Sequence, residues 1–252
     1  MRGGAPRSAA SVLAAIGFPV EYRCRCGAAV QRPGNCRPCD SIEAAERRAE
    51  EMAQRVKLRV PAVYRWASLD SPDLQAAIGN GHVVIPEVRA WLSDPNAPPI
   101  LLLRGDTHVL KSTVAGACVA WETMAGRDAY FVLAVDLVPL SERPTDNQRE
   151  TRSNAIHRVS NYRALVALDD MAKILGGAPG DSGQAHWRRG DFCAALHRRW
   201  QAKAKTILPT TLENRSTSKA PAPGVLELFG EDILARVTDE RSAKMIRLER
   251  KR

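Results

Sequence analysis

The stretch "PPILLLRGDTHVLKSTVAGACVAWETMAG" (98–126) constrains the fold more than any other part of the chain. An unbroken apolar run ends at Gly105, a short polar loop follows, and an apolar segment at helical spacing then runs to a glycine. Without alternation, the first run reads as a strand buried on both faces. The loop has the frame of a phosphate-binding loop: Gly105, four residues, then an ending in Lys111 and Ser112, with Leu110 where a last glycine would stand. In such a loop, backbone N–H groups wrap phosphates, the lysine adds a point charge and the hydroxyl binds Mg²⁺. Its glycines serve left-handed backbone and close approach; other residues there cost about 1–2 kcal/mol. His108 and Leu110 depart from that pattern. On this segment alone, an ordinary strand-turn-helix that happens to carry Lys-Ser stays open.

Strand and helix patterns alternate downstream. "AYFVLAVDLVPL" (129–140) starts as a second strand, "RALVALDDM" (163–171) is a third and "KAKTILPTT" (203–211) a fourth. "FCAALHRRWQAK" (192–203) is the helix between the last two, and "VLELFGEDILARVTDE" is a late helical segment before a basic tail, "RSAKMIRLERKR". Such alternation predicts a parallel sheet with helices on both faces, an α/β three-layer domain. The third strand delivers Asp169 and Asp170 at its C-terminal end, where open α/β sheets bind ligands. Beside a phosphate loop, the first carboxylate would serve Mg²⁺ and the second would orient or deprotonate an attacking water. The bland reading of the pair is a turn and a cap.

Ahead of this domain, "YRCRCGAAVQRPGNCRPCDS" (22–41) carries Cys24-x-Cys26 and Cys36-x-x-Cys39. Four thiolates in two close pairs suit tetrahedral Zn²⁺ in a closed, structural site, with disulfides or unligated thiols as the alternatives. The expected organisation is an N-terminal helix and cysteine knuckle over 1–40, a charged linker helix over 41–59 with Ser41 as N-cap, and the α/β domain over 60–252. The segment from 61 to 72, with prolines at either end, reads as an irregular approach. The first residues loosely mimic a signal peptide, but Glu21, Arg23 and Arg25 follow at once; a short amphipathic helix over 8–16 is preferred. No window approaches a membrane span, so a soluble, cytoplasmic protein without membrane contact is expected.

Lys and Arg number 37 against 28 Asp and Glu, a net charge of +9, which favours polyanionic partners and nucleic acid above all. Trp187, Arg188 and Arg189 with His197, Arg198, Arg199 and Trp200 form a basic-aromatic stretch suited to single-stranded DNA; an amphipathic helix with two core tryptophans reads equally well. The Gly-rich segment 176–190 reads as a surface loop. His82, His157 and His186 have no ligand spacing.

From about residue 58 onward the chain resembles the DnaC/IstB-type AAA+ ATPases, bacterial and phage helicase loaders and the ATP-binding helpers of some transposases. "VPAVYRWASLD" is similar to their approach segment, "LLLRGDTHVLKST" to their Walker A, "LVALDDM" to their Walker B, "TILPTTLEN" to their sensor strand and "LFGEDILARV" to the late helix with an arginine finger. The resemblance implies an ASCE-type P-loop fold with ATP and Mg²⁺ as cofactors. It implies nucleotide contacts along Gly105, Asp106, Thr107, His108, Val109, Leu110, Lys111, Ser112 and Thr113, Mg²⁺ at Ser112 and Asp169, and catalysis involving Asp170. Sensing falls to Thr211, although the usual sensor asparagine is replaced by Leu212 with Asn214 beyond it, and Arg236 would reach a neighbouring subunit of a homo-oligomer. Implied partners are DNA and a replicative helicase or transposase. The knuckle resembles the loader subgroup in which a zinc module grips the helicase or regulates loading. A nucleotide-free adaptor on the same fold is the alternative that the altered loop keeps open.

Overall fold

The computed structural model describes residues 22–24, 26, 28–30, 36–137, 145–171, 182–213, 225 and 229–251. The expected helix over 8–16 lies outside them. The chain divides into two units, 1–51 and 52–252.

In the first unit, β1 (Tyr22–Arg23) and β2 (Ala29–Val30) form a minimal antiparallel pair, with the Cys24 N–H donating to the Ala28 carbonyl at 2.8 Å. Helix α1 spans Arg37–Arg59, running from the first unit across the 51/52 boundary, and it starts ahead of Ser41, the residue expected to cap it. The Asp40 amide already donates to the Cys36 carbonyl at 3.0 Å. Pro38 sits in the first turn, where a missing N–H costs nothing. The second cysteine pair is therefore part of the helix start rather than a loop before it.

In the second unit, a five-stranded parallel sheet runs in the order β4–β5–β6–β3–β7, with β3 at Ile100–Arg104, β4 at Ala129–Leu133, β5 at Leu165–Asp169, β6 at Thr206–Thr210 and β7 at Ala243–Arg247. Every residue of β3, β5 and β6 is buried, as unbroken apolar runs require. Alternate side chains serve different layers. Leu101, Leu103, Ala167 and Ile207 join one core with α3 (Gly81–Ser93) and α4 (Lys111–Met124). Ile100, Leu102, Val166, Leu168 and Leu208 join the other with α5 (Asp146–Ser160), α6 (Ser182–Gln201) and α7 (Glu231–Thr238).

The structure departs from the sequence reading in several places. Between the expected approach segment and β3 stand α2 (Pro72–Ala77), capped by Ser71, and α3. The second strand does start at Ala129 as expected, ends at Leu133 and continues as a 3₁₀ turn, Ala134–Leu137. The segment 176–190 is helical from Ser182, where a loop was expected. The basic tail is a strand: β7 pairs with β3 and buries Ala243 and Ile246, and Leu248 is buried just beyond it. Among the described residues, no helix is long and apolar enough to cross a membrane.

Candidate nucleotide site and cysteine cluster

Strand β3, flanked by β6 and β7, and helix α4 aim the loop at the C-terminal edge of the sheet. Gly105 follows β3 directly, and an added Cβ would lie 2.5 Å from the Leu248 carbonyl oxygen and 2.7 Å from Val109 Cγ2. Only a glycine lets the segment after β7 pass this closely. Val109 is buried and pins the loop, whereas Asp106, Thr107 and His108 are exposed. His108 has φ 67° and Leu110 φ 62°. The backbone thus keeps the left-handed turns that glycines normally supply, at about 1–2 kcal/mol per residue. Histidine tolerates that region better than most residues, but leucine does not.

Leu110 precedes the first residue of α4, which has no side-chain cap. The first amides of a helix lack intrahelical partners and carry the positive end of its dipole, a ready anion site. Lys111 is 8% exposed and its ammonium donates to the Asp106 carbonyl at 2.5 Å. Burial lowers its pKa, against the attraction of Asp106 and Asp169. The Ser112 hydroxyl donates to Asp169 Oδ1 at 3.0 Å. Asp169 is buried at the end of β5, and Asp170 follows with φ 59°. Residues far apart in sequence therefore meet at one point. A hydroxyl and a carboxylate this close can serve one hard, octahedral cation. Thr113 is buried one residue further into α4.

At the end of β6, Thr210 rather than Thr211 is buried, and its hydroxyl accepts from the Leu212 amide at 3.0 Å. Thr211 is exposed just beyond the strand, and Asn214 lies outside the described residues. Thr210 is in register with Arg104 on β3, whose buried guanidinium lies 3.6 Å from the Glu213 carboxylate. Arg104, Thr210 and Glu213 were missed in the sequence; the available signal was a polar residue closing each of two buried apolar runs.

Arg236 is held by its own chain. Its guanidinium donates to the Asp232 carbonyl at 2.5 Å, meets His197 Nδ1 at 2.6 Å and stacks 4.6 Å from the centre of the Trp200 ring. The basic-aromatic reading of α6 is corrected at one residue. Arg199 is completely buried, and all its bonds run to the Thr206 hydroxyl and to the carbonyls of Val159, Asn161, Ala164 and Lys205. Trp200 packs against the core. Arg199 is therefore no DNA contact, and Trp200 is only partly buried. The side chains of Trp187, Arg188 and Arg189 lie outside those described.

In the first unit, the sulfurs of Cys24, Cys26, Cys36 and Cys39 all lie within 4.8 Å of one another, with Cys26 and Cys36 at 3.6 Å, and none of the four is in a disulfide. Zinc–sulfur bonds of about 2.3 Å in a tetrahedron require sulfurs roughly 3.8 Å apart. The cluster fits that demand. Backbone hydrogen bonding at Cys26, then at Cys36, lowers the Cys24 thiol to about 6, favouring the thiolate that a metal needs.

The arrangement of strands and helices matches a solved structure along its full length. The DnaC helicase loader superposes with a TM-score of 0.50 at 16% identity, covering 75% of this chain and 100% of that one. This is the P-loop AAA+ fold. Weaker likenesses are AMPPCP-bound DnaA from Aquifex aeolicus (TM-score 0.46, 14% identity, 68% of this chain and 47% of that one) and the replication initiator DnaA bound to AMPPCP and single-stranded DNA (0.47, 13%, 71% and 50%). No protein-family model matches the chain, and no curated protein does. At such identities the likeness establishes an AAA+ fold, and function has to be argued from the site.

Proposed function

We propose that the chain is an ATP-binding AAA+ ATPase that works on DNA during replication, as a helicase loader assembled head to tail. The observation that carries this reading is the convergence of Lys111, Ser112 and Asp169 at the C-terminal edge of the sheet, around a loop that keeps its left-handed turns without glycines. In this reading, loop amides from Asp106 to Ser112 would hold the nucleotide's phosphates, and the Lys111 ammonium, now on the Asp106 carbonyl, would add its charge there. Ser112 and Asp169 would hold Mg²⁺, which would supply charge neutralisation at the phosphates. Asp170 orients the attacking water, Thr211 reports on the γ-phosphate, and Arg236 serves the site of a neighbouring subunit after leaving Trp200. The cysteine cluster holds a structural Zn²⁺ that shapes a contact for the replicative helicase or for DNA. These roles place the protein in the cytoplasm, and a transposition helper with the same parts would differ only in its partner.

Calorimetry with Mg-ATP tests the reading. Micromolar binding by the intact protein, lost in Lys111→Ala together with nucleotide-dependent assembly, is the expected result. Absence of binding until His108 and Leu110 are both replaced by glycine would favour the second reading, a nucleotide-free adaptor; the two left-handed non-glycine residues are its supporting observation.

A further inference from the structure

The end of the sheet opposite the phosphate loop carries a cleft of about 590 Å³. It is formed where the chain enters β4, β5 and β6, and its cationic lining is Arg127, Arg163, Lys203 and Lys205. Two of these are engaged by the protein. Arg127 is paired with Glu122 through contacts of 2.5 and 2.7 Å, and the Lys205 ammonium donates to the carbonyls of Trp91 and Leu92 at 2.9 and 2.6 Å. The side chains of Arg163 and Lys203 are exposed and make no ion pair among the described residues.

Lys203 also sits where lysine is disfavoured. Helix α6 ends in a paired closure, the Lys203 amide donating to the Trp200 carbonyl and the Ala204 amide to the Arg199 carbonyl, each at 2.9 Å. The closing residue of this motif takes left-handed backbone and is usually glycine. Lys203 takes it at φ 52°. A glycine would close the helix at lower cost, so the ammonium at the cleft needs another reason. Beside it, Tyr162 is 42% exposed and lines both this cleft and a neighbouring groove between α5 and α6, where Arg198 is exposed and Arg152 is paired with Asp191 at 2.9 Å. Cations thus flank an open aromatic ring across two adjoining depressions.

Unpaired cations beside an exposed aromatic ring match the chemistry of an unpaired nucleic-acid strand, whose phosphates take the charges and whose bases stack. A duplex offers the ring no free base face. We propose that this cleft binds single-stranded DNA, with Arg163 and Lys203 on phosphates and Tyr162 under a base. The proposal rests on the reading that the protein works on DNA, and it puts the strand at the end of the sheet remote from the nucleotide.

Fluorescence anisotropy of a labelled oligothymidylate with the full-length protein, with and without Mg-ATP and over a range of salt, tests it. Arg163→Gln with Lys203→Gln should weaken binding by at least about tenfold and flatten the log–log salt dependence by about 0.7 for each lost cation. Mg-ATP binding should be retained, and Arg241→Gln, a cation outside the cleft, should bind as the parent does. Lys203→Gly separates ligand from fold: it should bind DNA more weakly while melting at a higher temperature. A higher melting temperature with unchanged affinity overturns the proposal, and so does wild-type affinity in the double variant, which leaves DNA binding elsewhere on the protein. No binding by the parent under any condition removes the DNA reading itself, and the cleft assignment with it.

Discussion

Two residues show how single side chains divide between strain and support. His108 is exposed and left-handed. Its strain of about 1–2 kcal/mol exceeds the extra unfolded-state freedom that glycine brings, about 0.5–1 kcal/mol. His108→Gly should therefore raise the melting temperature by roughly 2 °C, measured by thermal circular dichroism. Leu110→Gly should not, because Leu110 also packs against the core and that contact offsets the relief. Arg199 is the opposite case. Its guanidinium satisfies acceptors at the end of α5, ahead of β5 and at the start of β6. Burial pushes its pKa down to about 10, so it remains the charged donor that this set requires at neutral pH. Arg199→Met strands several buried oxygens at about 1 kcal/mol or more each, and a loss of about 3 kcal/mol or more is expected from urea unfolding. A lysine there could not restore the planar fork. In the sequence Arg199 was indistinguishable from its exposed neighbour Arg198, because one residue's rotation around a helix decides between core and solvent.

Elements were legible where periodicity was strong. The buried runs of β3, β5 and β6 and the helix after the phosphate loop stand where apolar pattern puts them. Helix α5 was missed because it is polar nearly all round, although its capping box was present, with Thr145 and Gln148 bonded reciprocally. Strand β7 was missed because an edge strand needs only one apolar face, and its charged residues read as tail. The structure shows what holds it. The Leu248 amide donates to the Arg104 carbonyl at 2.7 Å, while the Asn80 side chain donates to the Arg247 carbonyl at 2.8 Å and accepts from the Glu249 amide at 3.0 Å. One asparagine thus bridges the segment after the last strand to the turn before α3, within reach of Gly105. Asn80→Ala should cost about 1–2 kcal/mol and speed hydrogen exchange at Glu249 more than at Leu248. Equal acceleration at both amides would mean that the whole strand opens rather than its end.

At the scale of the molecule, a parallel sheet with returning helices gathers helix N-termini at one edge and C-termini at the other. The anion-binding amides of α4 belong to the first edge. At the second, Lys205 and Arg199 meet the terminal carbonyls that end α3 and α5. Part of the net charge of +9 is therefore internal capping, and its total in the sequence overstates the surface available to a polyanion. The cysteine unit follows a different rule. Its described strands are two residues each, so little apolar burial is available to hold it, and four sulfurs in one cluster are its evident tie. The 52–252 unit has its own cores on both faces of the sheet. Stripping metal with a strong chelator should thus release one zinc per chain, measured by elemental analysis, and expose the four thiols to a thiol reagent. The main cooperative unfolding transition should stay within a few degrees of its original midpoint, because the described cores on both faces of the sheet are built from residues of the 52–252 unit. Cys36→Ser should reproduce both effects. If chelation instead abolished the main transition, the zinc would be holding the α/β unit as well, and the independence of the two units would be refuted.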